Sequence, residues 1–233
     1  IPETENNISQ NLSHPSLSGI KIAYDMSHNT GRQNLTSPTG GNLNSIIFSD
    51  FTSRGATITV ITSFTASVLS QFNVLWLEED FNTPLSSTEK NILATFVSTG
   101  GSVMTPRADW PIPSSDPASP LHAFGFHYLS NFFSRISTNI TPHPVTEGIS
   151  IIYFPAAVNS LSVPSQATVL VRDNTGTQIG VAIRNFGAGK VSVVTDEICI
   201  DSSINNADNK ILCNRLMSFA AGRLITPTRK RGF

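Results

Sequence analysis

The chain is 233 residues long, 39% hydrophobic and 13% charged, with a formal net charge of -1. That length supports one substantial core within the usual single-domain range, and a near-neutral chain lacks the basic face that nucleic acid or an anionic membrane surface requires. The charged share is about half the usual one, so Ser, Thr and Asn fill the polar surface with help from 15 Gly and 14 Pro. A weakly charged, hydroxyl-rich surface has little self-repulsion and suits packing against copies of itself outside the cell. No apolar run approaches the roughly 18 residues of a membrane span. No signal-peptide pattern stands at the start, and Ile1 in place of an initiator Met predicts a processed chain or a fragment.

Residues 1–18 are polar, hold Pro2 and Pro15 and show no periodicity, so they read as an extended arm. Gly19 opens the apolar run Ile20–Tyr24, a short buried strand that ends at Asp25. Residues 26–41, with Gly31, Pro38 and Gly40-Gly41, read as a long loop of the kind that carries contacts or function. Leu43, Ile46, Ile47 and Phe51 follow helical spacing up to Gly55, and the β-branched stretch Thr57–Ile61 is a second strand. Val74–Leu77 is a continuous apolar strand closed by Glu78-Glu79-Asp80. Ser86 or Ser87 caps a helix whose stripe is Ile92, Leu93, Phe96 and Val97, and Gly100-Gly101 stops it before the strand Ser102–Thr105. Strand, helix and strand with short connections form a βαβ unit, which implies parallel pairing and a right-handed crossover.

Five prolines between Pro106 and Pro120 mark an irregular excursion, and residues 121–135 are aromatic-rich, predicting a short helix plus a strand or lid. His143–Gly148 is a turn. Short strands follow at Ile151–Phe154, Ala167–Arg172, Ile179–Asn185 and Lys190–Thr195, with hairpin turns at Asn174-Thr175-Gly176 and Gly187-Ala188-Gly189. The amphipathic stretch Asn206–Gly222 closes the domain, and residues 223–233 form a basic tail with Arg229-Lys230-Arg231, a processing site, a contact for an acidic patch, or a solvated end.

Four sequons stand at Asn7, Asn11, Asn34 and Asn139, all in stretches read as loop or tail, and together they predict a secreted, extracellular glycoprotein. Cys199 and Cys213 are either a disulfide or two buried thiols.

The order of these motifs resembles class I glutamine-amidotransferase-like domains. "LSSTEKNILATFVSTGGSVM" is similar to the segment that leads through Gly-Gly into the strand before the nucleophile elbow. "HPVTEGI", "GAGKVSVVTDE" and "NADNKILCNRLMSFAAG" resemble the later part of the non-catalytic branch found in gliding-motility and intraflagellar-transport proteins. The resemblance covers residues 19–222 and implies an α/β fold: a mostly parallel flavodoxin-like or amidotransferase-like sheet flanked by helices, with a β-rich C-terminal part added. Catalytic members carry a Cys directly after the strand that is here Ser102–Thr105. This chain has Thr105-Pro106-Arg107-Ala108-Asp109, with neither thiol nor glycine, and Pro106 lacks an N–H for an oxyanion hole. Thr105 as a nucleophile needs an adjacent base, and His122, His127 and His143 are the candidates in sequence. The expectation is that catalysis has been lost.

In a parallel sheet the strand carboxyl ends meet at one edge, the default ligand site. Asp25, then Glu78, Glu79 and Asp80, then Asp196 and Glu197 end strands there, with Asp201 and Asp208 close behind. Clustered carboxylates repel unless Arg107, His28 or a hard cation such as Ca²⁺ neutralises them. They are therefore a candidate cation or polar-ligand site, or else half face solvent and Asp208 caps the last helix. The aromatics Phe124, Phe126, Tyr128, Phe132 and Phe133, with Trp110, either stack on sugar rings or pack a lid. The arm docks on its own domain or adds a strand to a neighbour, and a head-to-tail link of that kind propagates into a fibre. The sequence thus predicts a non-catalytic, self-assembling extracellular module without a cofactor, with a sugar- or peptide-binding module as the alternative and a diverged hydrolase behind both.

Overall fold

The computed structural model describes residues 14–28, 44–78, 84–106, 119–129, 135–156 and 159–224. In chain order these form β1 (Lys21–Asp25), α1 (Ser45–Ser53), β2 (Thr57–Ile61), α2 (Ala66–Leu69), β3 (Val74–Trp76), α3 (Ser87–Ser98) and β4 (Ser102–Thr105). A 3₁₀ turn (Pro120–Phe124) leads to β5 (His127–Leu129), β6 (Ile136–Ser137) and β7 (Asn139–Ile140). A second 3₁₀ turn (Pro144–Thr146) precedes β8 (Ile152–Tyr153), β9 (Ser160–Ser162), β10 (Thr168–Arg172), β11 (Ile179–Phe186), β12 (Gly189–Val194) and α4 (Asn209–Ala220). The main sheet runs β2-β1-β3-β4-β12-β11-β10-β7. Its β2-to-β12 part is parallel, while β11, β10 and β7 extend it antiparallel. Two small ribbons, β5–β9 and β6–β8, lie beside it. This is a mostly parallel α/β sheet flanked by helices, with extra strands in its C-terminal half.

The central strands are buried on both faces, so they read as apolar runs rather than alternations. Ile22, Tyr24, Val74, Trp76 and Met104 pack toward α1 and α4, where Phe48 meets Trp76 edge-on at 5.0 Å and Tyr24 at 5.4 Å. Ala23, Leu75, Val103, Val191 and Val193 face the other way, against Leu93, Phe96 and Val97 of α3 and the Phe124–Tyr128 stretch. The described aromatics Phe124, Phe126 and Tyr128 are therefore buried packing residues; Trp110, Phe132 and Phe133 lie outside the described residues.

The boundary expected between arm and domain at residue 18 is displaced. Leu17 is fully buried in the core, and Arg54 holds the preceding segment: its Nε and Nη2 donate to the Pro15 carbonyl at 3.0 and 2.7 Å. The same guanidinium donates to Asn214 Oδ1 and Ser218 Oγ of α4, both at 2.6 Å. Residues 14–18 thus belong to the domain, because an apolar side chain and a four-bonded guanidinium fix them there; residues 1–13 lie outside the described residues. Asn139 is placed in a strand rather than a loop, paired with Arg172, and its Nδ2 donates to the Asp173 carbonyl. Cys199 and Cys213 are joined in a disulfide with Cα atoms 5.8 Å apart. It ties the segment after β12 to α4, and closing a loop of this size is worth about 3 kcal/mol.

The two halves of the sheet meet at a contact between glycines. A Cβ on Gly189 would lie 1.8 Å from the Gly101 carbonyl oxygen and 2.2 Å from that of Val97, and one on Gly187 would lie 2.4 Å from the Ser98 oxygen. Ala188 N–H donates to the Ser98 carbonyl at 2.9 Å, and β12 then pairs with β4 from Lys190 opposite Ser102. Because the obstructing atoms at Gly189 are backbone, Gly189→Ala is expected to lower stability by more than about 3 kcal/mol, beyond the usual cost of overpacking. Urea denaturation followed by far-ultraviolet circular dichroism measures it.

Candidate functional site

The sheet reverses its strand order between β1 and β3, so the crevice outside their carboxyl ends is the position where ligands bind in open α/β sheets. Asp25 ends β1 and Glu78 follows β3, and both are buried. Around Asp25 the chain builds a polar network. Ser27 donates to Oδ1 through its amide at 2.9 Å and its hydroxyl at 2.6 Å, and His28 Nδ1 donates to Oδ2 at 2.6 Å. The far side of the His28 ring points to Glu89, with Nε2 3.5 Å from Oε1, and Phe64 meets its face edge-on at 5.2 Å.

Glu89 is held in turn by helix-end chemistry. Its Oε2 accepts from the Ser86 amide at 2.8 Å and hydroxyl at 2.7 Å, while Ser86 Oγ accepts from the Glu89 amide, a capping box that starts α3. Burial disfavours a charged His28, but its hydrogen bond to Asp25 and the charges of Asp25 and Glu89 outweigh burial and raise its pKa above the ordinary value. Desolvation opposes the charge of Glu89, and the Ser86 hydrogen bonds and His28 prevail, lowering its pKa.

Glu78 is met by Asn44, whose Nδ2 donates to Oε1, and by the Trp76 indole N–H at 3.2 Å. Asn44 is fully buried, and among the described residues its Oδ1 has no hydrogen-bond partner. Next to it Asp201 caps α1, accepting from the Ile46 amide at 2.8 Å and from the Ser45 hydroxyl. Asp196 accepts from the Ala156 and Glu197 amides at 3.0 and 2.7 Å. Asp208 precedes α4 without capping it; its carboxylate accepts from the Ser150 and Ile151 amides at 2.7 and 3.0 Å instead.

The strand-end carboxylates are thus met by separate sets of donors, and among the described residues no group of three or more His, Cys, Asp or Glu side chains converges to hold a metal. Glu79, Asp80 and Arg107 lie outside the described residues, as do Asn7, Asn11, Asn34 and Arg229–Arg231. Ser27, Asn44 and Phe64 were not singled out by sequence reasoning. A short polar residue just before a helical stripe is the one signal that points to Asn44.

β4 ends on Thr105, and residues 107–118 beyond Pro106 lie outside the described residues. Thr105 is fully buried and its hydroxyl donates to the Ser192 carbonyl at 3.3 Å, with Pro106 next in the chain. His122 and His127 pack ring to ring at 4.4 Å on the 3₁₀ turn and β5. His143 accepts the Val145 amide on Nδ1 at 3.1 Å as the cap of the second 3₁₀ turn. Nor is Ser27-His28-Asp25 a triad. In a triad the histidine sits between hydroxyl and acid, joined to each through a different ring nitrogen; here Ser27 and His28 both donate to Asp25.

No family model matches this sequence, and no curated protein matches it. Similar solved structures exist. The mmIFT52 N-terminal domain superposes with a TM-score of 0.70 at 12% identity, covering 88% of this chain and 99% of that domain. A putative ThuA-like protein from Bacteroides uniformis gives 0.53 at 13% identity over 85% of this chain and 91% of the other. The exo-β-1,4-mannosidase Op5Man5 from Opitutaceae bacterium strain TAV5 gives 0.54 at 15% identity over 90% of this chain but 36% of that enzyme. The fold is of the flavodoxin and amidotransferase-like kind. At these identities the likeness is one of fold alone, and it joins an intraflagellar-transport domain with a glycosidase.

The His28 bridge has a pH signature. Its pKa is raised in the folded state, so its stabilisation is complete below about pH 6.5, the unfolded value, and is lost as pH rises through the folded one. The melting temperature of the wild type is expected to fall between about pH 6 and about pH 9 by an increment that His28→Gln lacks, and at about pH 6 the variant is less stable by about 1.5–3 kcal/mol. Equal pH profiles for the two would contradict the bridge.

Proposed function

We propose that this chain is a non-catalytic extracellular module of the branch that resembles gliding-motility and intraflagellar-transport domains, and that it works by contact with copies of itself. The observation behind the loss of catalysis is the end of β4, where Thr105 is buried against Ser192 and Pro106 follows. The Cys199–Cys213 disulfide agrees with an oxidising compartment, and the sequons agree with a glycoprotein. The low charge leaves little repulsion between copies. In this reading residues 1–13, which precede the anchored segment at Pro15 and Leu17, make the link between subunits.

The crevice between β1 and β3 favours a second reading, a polar-ligand site for a sugar, a peptide or Ca²⁺. The unpartnered, buried Asn44 Oδ1 beside Glu78 is the observation behind it, and calorimetric titration with Ca²⁺ and with oligosaccharides tests it.

For the first reading, light scattering and negative-stain electron microscopy compare the full chain with one starting at His14. The full chain is expected to form oligomers or filaments, and the shortened chain to be monomeric with an unchanged melting temperature. A monomeric full chain, or a shortened chain that still assembles, contradicts the proposal.

A further inference from the structure

At the opposite end of the sheet from the strand-end crevice, two cavities adjoin. The larger is an open groove of about 530 Å³ beside the edge strand β7, walled by Ile140, Pro142, Pro144 and Ile149. Its acid, Glu147, stands 3.3 Å from the guanidinium of Arg215, which also donates to the Pro144 carbonyl at 2.9 Å. The smaller cavity, about 260 Å³, is lined by Lys190, Asn185, Phe219 and Leu224. His143 and Pro144 line both. The pair joins an apolar compartment of ordinary ligand size to a polar one.

Lys190 gives the smaller cavity its sign. It leaves the start of β12, and its ammonium lies 5.4 Å from the centre of the Phe219 ring. Among the described residues no carboxylate pairs with it and no acid lines that cavity. Burial lowers its pKa, so an anion brought to it relieves a desolvated charge. His143 adds a donor. Burial lowers its pKa and favours the neutral ring, and with Nδ1 accepting from Val145 the remaining proton is on Nε2. One cation and one neutral donor suit a singly charged head; a phosphate dianion calls for more donors.

We propose that these cavities bind a monocarboxylate with an apolar body, its head on Lys190 and His143 and its hydrocarbon along Pro144 against Ile140, Pro142 and Ile149. The site is separate from the assembly contact proposed above and stands or falls without it.

Isothermal titration of the full chain with dodecanoate, below the concentration at which it forms micelles, tests the site. Dodecyltrimethylammonium serves as the probe with the same tail and the opposite head, and acetate as the head alone. Saturable one-to-one binding of dodecanoate is expected, with the cationic probe and acetate weaker by about tenfold or more. Lys190→Met is expected to weaken dodecanoate binding by about 10- to 100-fold, the loss of a charge-assisted contact, and Lys190→Arg to restore most of it. No saturable dodecanoate binding, equal binding of the cationic probe, or an unchanged affinity in Lys190→Met overturns the proposal. Should Lys190→Met fail to fold by circular dichroism, the comparison of the two heads on the wild type decides alone.

Discussion

The close approach of Gly189 to Gly101 is the constraint on which the rest of the structure depends. Two carbonyl oxygens, those of Gly101 and Val97, occupy the space a side chain on Gly189 would need. Removing that side chain lets the β11–β12 turn seat directly on the end of α3, and Ala188 N–H donates into the helix terminus at Ser98. β12 is thereby placed in parallel register beside β4, and β11, β10 and β7 follow from it by antiparallel pairing. One contact joins a parallel α/β unit to a β-rich extension and gives both a common pair of core faces.

The strand-end edge shows how buried acids are kept in such a sheet. Four of these carboxylates have donors of their own: amides for Asp196 and Asp201, an amide side chain and an indole for Glu78, a serine and a histidine for Asp25. A buried carboxylate without such partners would take up a proton or destabilise the fold. The His28 bridge also links the end of β1 to the cap of α3 through Glu89. β4 ends on the buried Thr105 hydroxyl, which donates to the Ser192 carbonyl, with Pro106 next in the chain.

Much of this was legible in the sequence where the local signal and the tertiary outcome coincide. The strand from Val74, the helix capped at Ser86 or Ser87 with its Gly-Gly stop, and the strand Ser102–Thr105 fold as read, Ser86 proving to be the cap, as do the hairpins around Gly176 and Gly187. α2 has four residues and no period to detect, so its Thr65 cap alone announces it. β6 to β9 are two or three residues each, and their pairing partners are set by distant segments rather than by their own composition. Leu17 looked like part of a polar arm because one apolar residue carries no pattern; Arg54, far along the chain, anchors its segment. In the candidate site, the acids were visible as strand ends, whereas Asn44, Ser27 and Phe64 become partners only once the strands are placed. Lys190 reads as the first residue of a strand, since nothing local reveals that no acid among the described residues pairs with it.

The claim that the glycine contact makes one cooperative unit of both halves is tested most directly by native-state hydrogen exchange. Amides in β3, β4, β12, β11 and β10 are expected to exchange with a common free energy equal to that of global unfolding. Exchange of β10 and β11 at a distinctly lower free energy than β3 and β4 would show the extension opening by itself and contradict the account.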